Sequence, residues 1–190
     1  MAMRHNVNLQ VRSSFSDAPG TLVVNEDLIV EQEKISGIAY SPDEAKITIQ
    51  GLSDQPGIAA GVFGALADNQ VNVDMIVQSA ATAGQKTDIT FSLGRADVAK
   101  ALKIINDSRE SLAFESVDAT ENVTKISVVG MAMRSQPGVA KTMFETLAER
   151  GINLQVISTS EIKISVLIAS EYTELAVRSL HTAFGLDGED

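Results

Sequence analysis

Two hydrophobic rhythms alternate along this chain, and they do so twice. Ile47 and Ile49, and later Ile126 and Val128, are separated by polar residues, the period-2 signature of a half-buried strand. Ile58, Val62 and Leu66 then recur at i, i+4 and i+8, as do Val139, Met143 and Leu147, which predicts a helix after each strand. Residues 73–77 and 154–157 read as second strands. Ile89, Phe91 and Leu93 mark a third strand in the first half, and Ile162, Ile164, Val166 and Ile168 mark one in the second. Helices near 96–107 and 171–184 follow. Residues 112–117 supply a fourth strand to the first half, giving the order βαββαβ.

The two halves are copies. Lys46-Ile47-Thr48-Ile49-Gln50-Gly51 is echoed by Lys125-Ile126-Ser127-Val128-Val129-Gly130, and Gln55-Pro56-Gly57-Ile58-Ala59 by Gln136-Pro137-Gly138-Val139-Ala140. Phe63, Leu66, Ala67, Asn72 and Ile76 match Phe144, Leu147, Ala148, Asn153 and Ile157 at a constant spacing of 81. Pro56 and Pro137 suit the first helical position, where a missing N–H is harmless. Gly151 suits a helix stop, the task of Asp68-Asn69 in the first copy.

The second copy ends at 185–190 without a fourth strand, and an open sheet edge invites aggregation. Val7, Leu9 and Val11 alternate cleanly, so residues 7–13 are expected to complete that sheet. Another run, 35–40, precedes an expected turn at Ser41-Pro42-Asp43-Glu44. The predicted organisation is α+β: a first unit over 34–120, a second over 121–190 closed by strand 7–13, and a connecting segment over 14–33. The units interleave, each an antiparallel sheet with helices on one face.

Composition narrows the function. The 190 residues suffice for two small domains, and 44% are hydrophobic without any run near the roughly 18 apolar residues of a membrane span. The start, Met1-Ala2-Met3-Arg4-His5-Asn6, lacks the apolar stretch of a secretory signal, so a cytoplasmic location is expected. Cysteine is absent, which removes thiolate chemistry and cysteine-based metal sites. The net charge is −10, the 15 basic residues are scattered, and aromatics are 4%, a poor endowment for nucleic acid. Gly61-Val62-Phe63-Gly64 lies within a helix and lacks the following Lys of a phosphate loop. Ser160-Glu161-Ile162-Lys163 fits S-x-x-K only by coincidence, since it falls on strand. No nucleophile, base and orienting group come together, and no catalytic residue or metal site is expected.

The turn into the first helix, Leu52-Ser53-Asp54-Gln55-Pro56-Gly57-Ile58-Ala59, is the informative place. The first turn of a helix offers free backbone N–H groups and a partial positive charge, a seat for a carboxylate. Gly57 permits close approach, and Asp54 is placed to accept the ammonium of an amino acid seated there. The alternative is that Asp54 caps the helix. In the second copy the turn is two residues longer and Ser135 stands where Asp54 stood, so the first copy is the better candidate for an amino-acid site.

Ser53-Asp54-Gln55-Pro56-Gly57, Asn72-Val73-Asp74-Met75-Ile76-Val77-Gln78, Thr87-Asp88-Ile89-Thr90-Phe91 and Ser158-Thr159-Ser160-Glu161-Ile162-Lys163-Ile164-Ser165-Val166 together resemble the C-terminal regulatory region of aspartate kinase, built from two ACT domains. Val11-Arg12-Ser13-Ser14-Phe15 and Pro19-Gly20-Thr21 are similar to the segment that joins kinase to regulatory domains. The resemblance spans the whole chain and implies ferredoxin-like ACT domains that bind threonine, lysine or both in feedback inhibition. It implies that Asp54, Gly57, Ile58, Ala59 and Gln78 line an effector site, closed by Asn153 and Leu154 of a second ACT domain. Ser160 and Glu161 resemble positions linked to lysine sensing, and the 80–86 loop to one that tunes effector choice. The expected partners are a second copy through the ACT domains and the catalytic α subunit, with no cofactor, no membrane and no nucleic acid. A dimerisation module with degenerate sites is the alternative reading. The repeats use up the chain, leaving no room for an ATP-binding domain.

Overall fold

The computed structural model describes residues 9–16, 19–23, 35–79, 86–130 and 138–187. The connecting residues 24–34, the 80–85 loop, and the second copy's turn at 131–137 with Ser135 lie outside them. The chain divides into two units, Met1–Glu33 and Lys34–Asp190.

In the first unit, β1 (Leu9–Val11) pairs antiparallel with β2 (Thr21–Val23), Gln10 standing opposite Leu22. Leu9, Val11 and Phe15 are exposed.

The second unit runs β3 (Gly37–Ser53), α1 (Ile58–Asp68), β4 (Val73–Gln78), β5 (Lys86–Gly94), α2 (Val98–Asp107), α3 (Arg109–Leu112), β6 (Ser116–Val129), α4 (Val139–Glu149), β7 (Val156–Thr159), β8 (Lys163–Ala169) and α5 (Thr173–Ala183). Its strands form one antiparallel sheet in the order β4-β5-β3-β6-β8-β7.

The long strands β3 and β6 organise this sheet, because each serves both copies. Residues 37–41 lie opposite 125–129, and residues 46–50 lie opposite 116–120. The later half of β3 and the earlier half of β6 join β5 and β4 in a first lobe. The earlier half of β3 and the later half of β6 join β8 and β7 in a second. The first lobe is therefore a βαββαβ unit, the second is the same unit with its last strand supplied from earlier in the chain, and the two interleave as expected.

The strand that closes the second lobe, however, is 37–41 and not 7–13. Ile35 is buried in that lobe's core and Ile38 packs against it. Residues 37–41 are also continuous with the already paired 46–50, so their docking closes no further loop, whereas Leu9–Val11 pairs with Thr21–Val23. The expected turn at 41–44 is instead a bulge: the register passes from Ser41–Lys125 to Glu44–Val123. Pro42 has no N–H to give a ladder, and bulges tolerate it. Likewise 112–117 is not wholly strand. Leu112 ends α3, Ala113 turns at φ 50, and β6 begins at Ser116. The boundary drawn at 120/121 falls inside β6.

The helices cover one face of the sheet. In the first lobe Ile47, Ile49, Phe91 and Leu93 pack under Ile58, Val62, Leu66, Ala101 and Ile105. Phe63 meets Phe91 edge to face, with centroids 5.5 Å apart and planes at 75°. In the second, Ile126, Val128, Ile164 and Val166 pack under Val139, Met143, Leu147, Ala176 and Leu180. Most apolar positions that set the two sequence periods become core; Ile162, which precedes β8, is exposed, as are Leu9 and Val11.

Candidate functional site

The approach to α1 is a tight turn. The Ile58 N–H donates to the Gln55 carbonyl at 3.3 Å, and Gly57 adopts φ 97, ψ −12. With proline second and left-handed glycine third, Gln55-Pro56-Gly57-Ile58 has the features of a type II turn. Pro56 therefore precedes the helix by two residues instead of opening it, because the Pro-Gly dipeptide is better matched to this turn. An added Cβ at Gly57 meets no protein atom within 4 Å, so the sign of φ requires glycine here. Gly138 starts α4 in the same way, at φ 118.

No side chain caps α1, and Asp54 is exposed, so the capping alternative for Asp54 is not realised. The Ile58 N–H is used by the turn and the Gly61 N–H returns to the Gly57 carbonyl at 2.9 Å. Between them, the first-turn N–H groups of Ala59 and Ala60 have no place in the helix ladder and point outward from its positive end. The Ile58 side chain is buried in the core and its N–H is taken by the turn, while Ala59 packs partly on that core and can offer its backbone only.

Strand register brings Gln78 to the same end of the lobe. Leu52 stands opposite Thr87, Ser53 opposite Lys86, and Gln78 opposite Ile89. Ser79 fixes this end: its N–H donates to the Asp88 carbonyl at 3.0 Å, and its hydroxyl accepts the Asp88 N–H at 3.0 Å. Its carbonyl accepts the Thr87 hydroxyl at 2.7 Å, while the Asp88 carboxylate accepts the Gly51 N–H at 2.9 Å. The parts of Ser79 and Asp88 were not foreseen. The one available signal for Ser79 was its spacing of 81 from Ser160.

Asn153 and Leu154 lie elsewhere. They precede β7, Leu154 packs on the second lobe's core, and the adjacent Gln155 accepts a hydrogen bond from Lys46 at 2.9 Å. Lys46 is eight residues before Asp54 on β3, roughly 25 Å at about 3.3 Å per residue. One chain does not bring these two residues to Asp54. Ser160 and Glu161 occupy the β7–β8 turn, at the place Ser79 holds in the first lobe. The Ser160 N–H donates to the Lys163 carbonyl at 2.8 Å and its hydroxyl accepts the Lys163 N–H at 3.1 Å.

A shallow groove of about 620 Å³ leads from the turn along α1, lined by Gln55, Gly57, Ala60, Gly61, Gly64 and Ser111. A groove of about 660 Å³ between α4 and α5 carries paired charges such as Glu174 and Arg178, and none of the candidate residues lines it. Among the described residues there is no cluster of metal-ligating side chains, and no helix is long and apolar enough to cross a membrane.

The ACT domain family model matches residues 46–108 and 126–184. The chain is 48% identical over 188 residues to the aspartokinase of Pseudomonas aeruginosa, covering 98% of this chain and 45% of that protein. It thus spans less than half the length of that relative. Among solved structures, a chain from the aspartokinase alpha and beta subunits is 46% identical with a TM-score of 0.74. The match covers 80% of this chain and 99% of that one. The ligand-free regulatory subunit of aspartate kinase from Thermus thermophilus is 36% identical with a TM-score of 0.75, at the same coverage.

Proposed function

The chain belongs to the ACT-domain family, as a regulatory ACT region of aspartate kinase, and on that footing we propose that it senses an end-product amino acid, threonine first and lysine second, and mediates feedback inhibition of the kinase. The observation that carries this reading is the uncapped start of α1. The open Ala59 and Ala60 N–H groups suit the amino acid's carboxylate, and Asp54, engaged in no cap, suits its ammonium. Gln78 supplies a side-chain amide at the same end of the lobe. A carboxylate at a helix start gains about 0.3–1 kcal/mol from the dipole alone, and direct hydrogen bonds add to that.

The wide separation of Asn153 and Leu154 from Asp54 favours a site that these residues complete from a second copy, in a homodimer. The outer strands β4 and β7, with Ile76 and Ile157 exposed, are the sheet edges such pairing would use. Phosphoryl transfer belongs to a catalytic α subunit, in the cytoplasm, and the effector acts through its unequal affinity for active and inhibited assemblies.

A ligand that binds only the folded protein stabilises it by about 2.7 kcal/mol at a hundredfold excess over its dissociation constant. In a thermal-shift panel of the standard amino acids, threonine or lysine is expected to raise the midpoint and the others to leave it in place. A flat response to both would favour the dimerisation module with degenerate sites.

A further inference from the structure

The two edge strands of the sheet, five places apart in strand order, nevertheless touch: β4 and β7 meet across the helix-free face. At the meeting point Met75, Val123, Val156 and Leu167 form an apolar cluster separate from both lobe cores. Beside it, Lys125 donates to Asp74 at 2.6 Å and to Glu44 at 2.8 Å. Lys46 donates to Gln155 at 2.9 Å. Lys46 and Lys125 hold the same place in the two copies, as do Gln155 and Asp74. One contact is therefore made twice with the lobes exchanged: the first-strand lysine of each copy grips the start of the other copy's second strand.

The two versions differ. Lys125 is mostly buried and faces two carboxylates, whereas Lys46 faces a neutral amide. Asp74 does a second task, its Oδ1 accepting the Met75 N–H at 2.9 Å and holding Met75 at φ 30. Met75 is the residue wedged against the β7 side, and among the described residues Val156, its counterpart, has no such backbone. The Lys125 hydrogen bond, against some opposition from burial, holds the Asp74 carboxyl below its usual range. Burial pushes the Lys125 ammonium down, but its hydrogen bonds to Asp74 and Glu44 leave it above its usual value.

We propose that this junction couples the lobes by tying the starts of their edge strands together, so that β4 and β7 turn on a shared pivot at Asp74. The far end of β4 carries Gln78, and the far end of β7 leads into Ser160 and Glu161. The pivot thus joins the candidate site of one lobe to the equivalent end of the other. That ligands use this connection rests on the function proposed above; the tie itself does not.

Hydrogen exchange on the ligand-free protein tests the tie directly. Asp74→Asn keeps the side-chain shape and an acceptor for the Met75 N–H but removes the charge that holds Lys125. It is expected to lower amide protection about tenfold in β7 as well as β4, the scale of a lost charge-assisted hydrogen bond, and to leave α2 and α5 unchanged. Lys125→Met is expected to show the same two-lobe pattern. The double variant should match Lys125→Met alone, since Asp74 then has nothing to hold. Loss of protection confined to β4 and β5 in both single variants, or effects that simply add in the double variant, would overturn the proposal.

Discussion

Asp54→Ala is expected to cut sharply the rise in thermal midpoint that threonine is expected to give the wild-type protein. Asp54 is exposed and caps nothing, so the substitution leaves the unliganded midpoint in place, within the about 0.5 kcal/mol typical of surface changes. What it removes is an acceptor for the ligand's ammonium. A hydrogen bond between charged partners contributes about 1.5–3 kcal/mol, so affinity should fall roughly ten- to a hundredfold. Asp54→Asn keeps the acceptor and loses the charge, and should fall between. Thermal shift at a fixed threonine concentration reads all three proteins. An Asp54→Ala variant that still responds like wild type would remove Asp54 from the site.

Phe91→Ala is expected to have the largest effect on stability, about 3–5 kcal/mol. Phe91 is fully buried in the middle of β5, in edge-to-face contact with Phe63, and lies between the sheet and α1. Its removal leaves a cavity under the helix whose first turn forms the candidate site. For a domain of this size the midpoint should drop by about 10 °C in a thermal melt. Phe15→Ala is the matched control, because Phe15 is almost completely exposed and should change the midpoint little.

Most of the second unit was legible in the sequence, because alternation and helical spacing record which face each residue turns to the core. Ile47, Ile49, Phe91, Val62 and Met143 stand buried where those periods put them. Periodicity says nothing, however, about which strand lies beside which. Leu9 and Val11 alternate as well as Ile47 and Ile49 do, yet they pair within the first unit. The completing strand 37–41 was masked by Pro42 and Asp43, which read as a turn and prove to be a bulge in a 17-residue strand. Local chemistry misled in the same manner at Gln55-Pro56-Gly57, where proline suits both a helix start and a type II turn. The meeting of β4 with β7 had no local signature at all. It shows only in contacts between distant residues: Met75 with Val156 in one apolar cluster, and the repeated pairing of Lys46 with Gln155 and Lys125 with Asp74.

If the chain senses an amino acid as proposed, backbone N–H groups at the start of α1 bind its acid end. Amide chemical shifts of Ala59 and Ala60, followed by NMR during a threonine titration, report on that contact atom by atom. Saturable downfield shifts of both amides are expected with threonine, and none with threoninamide, which lacks the carboxylate. Amides that stay in place at saturating threonine and at saturating lysine would contradict it.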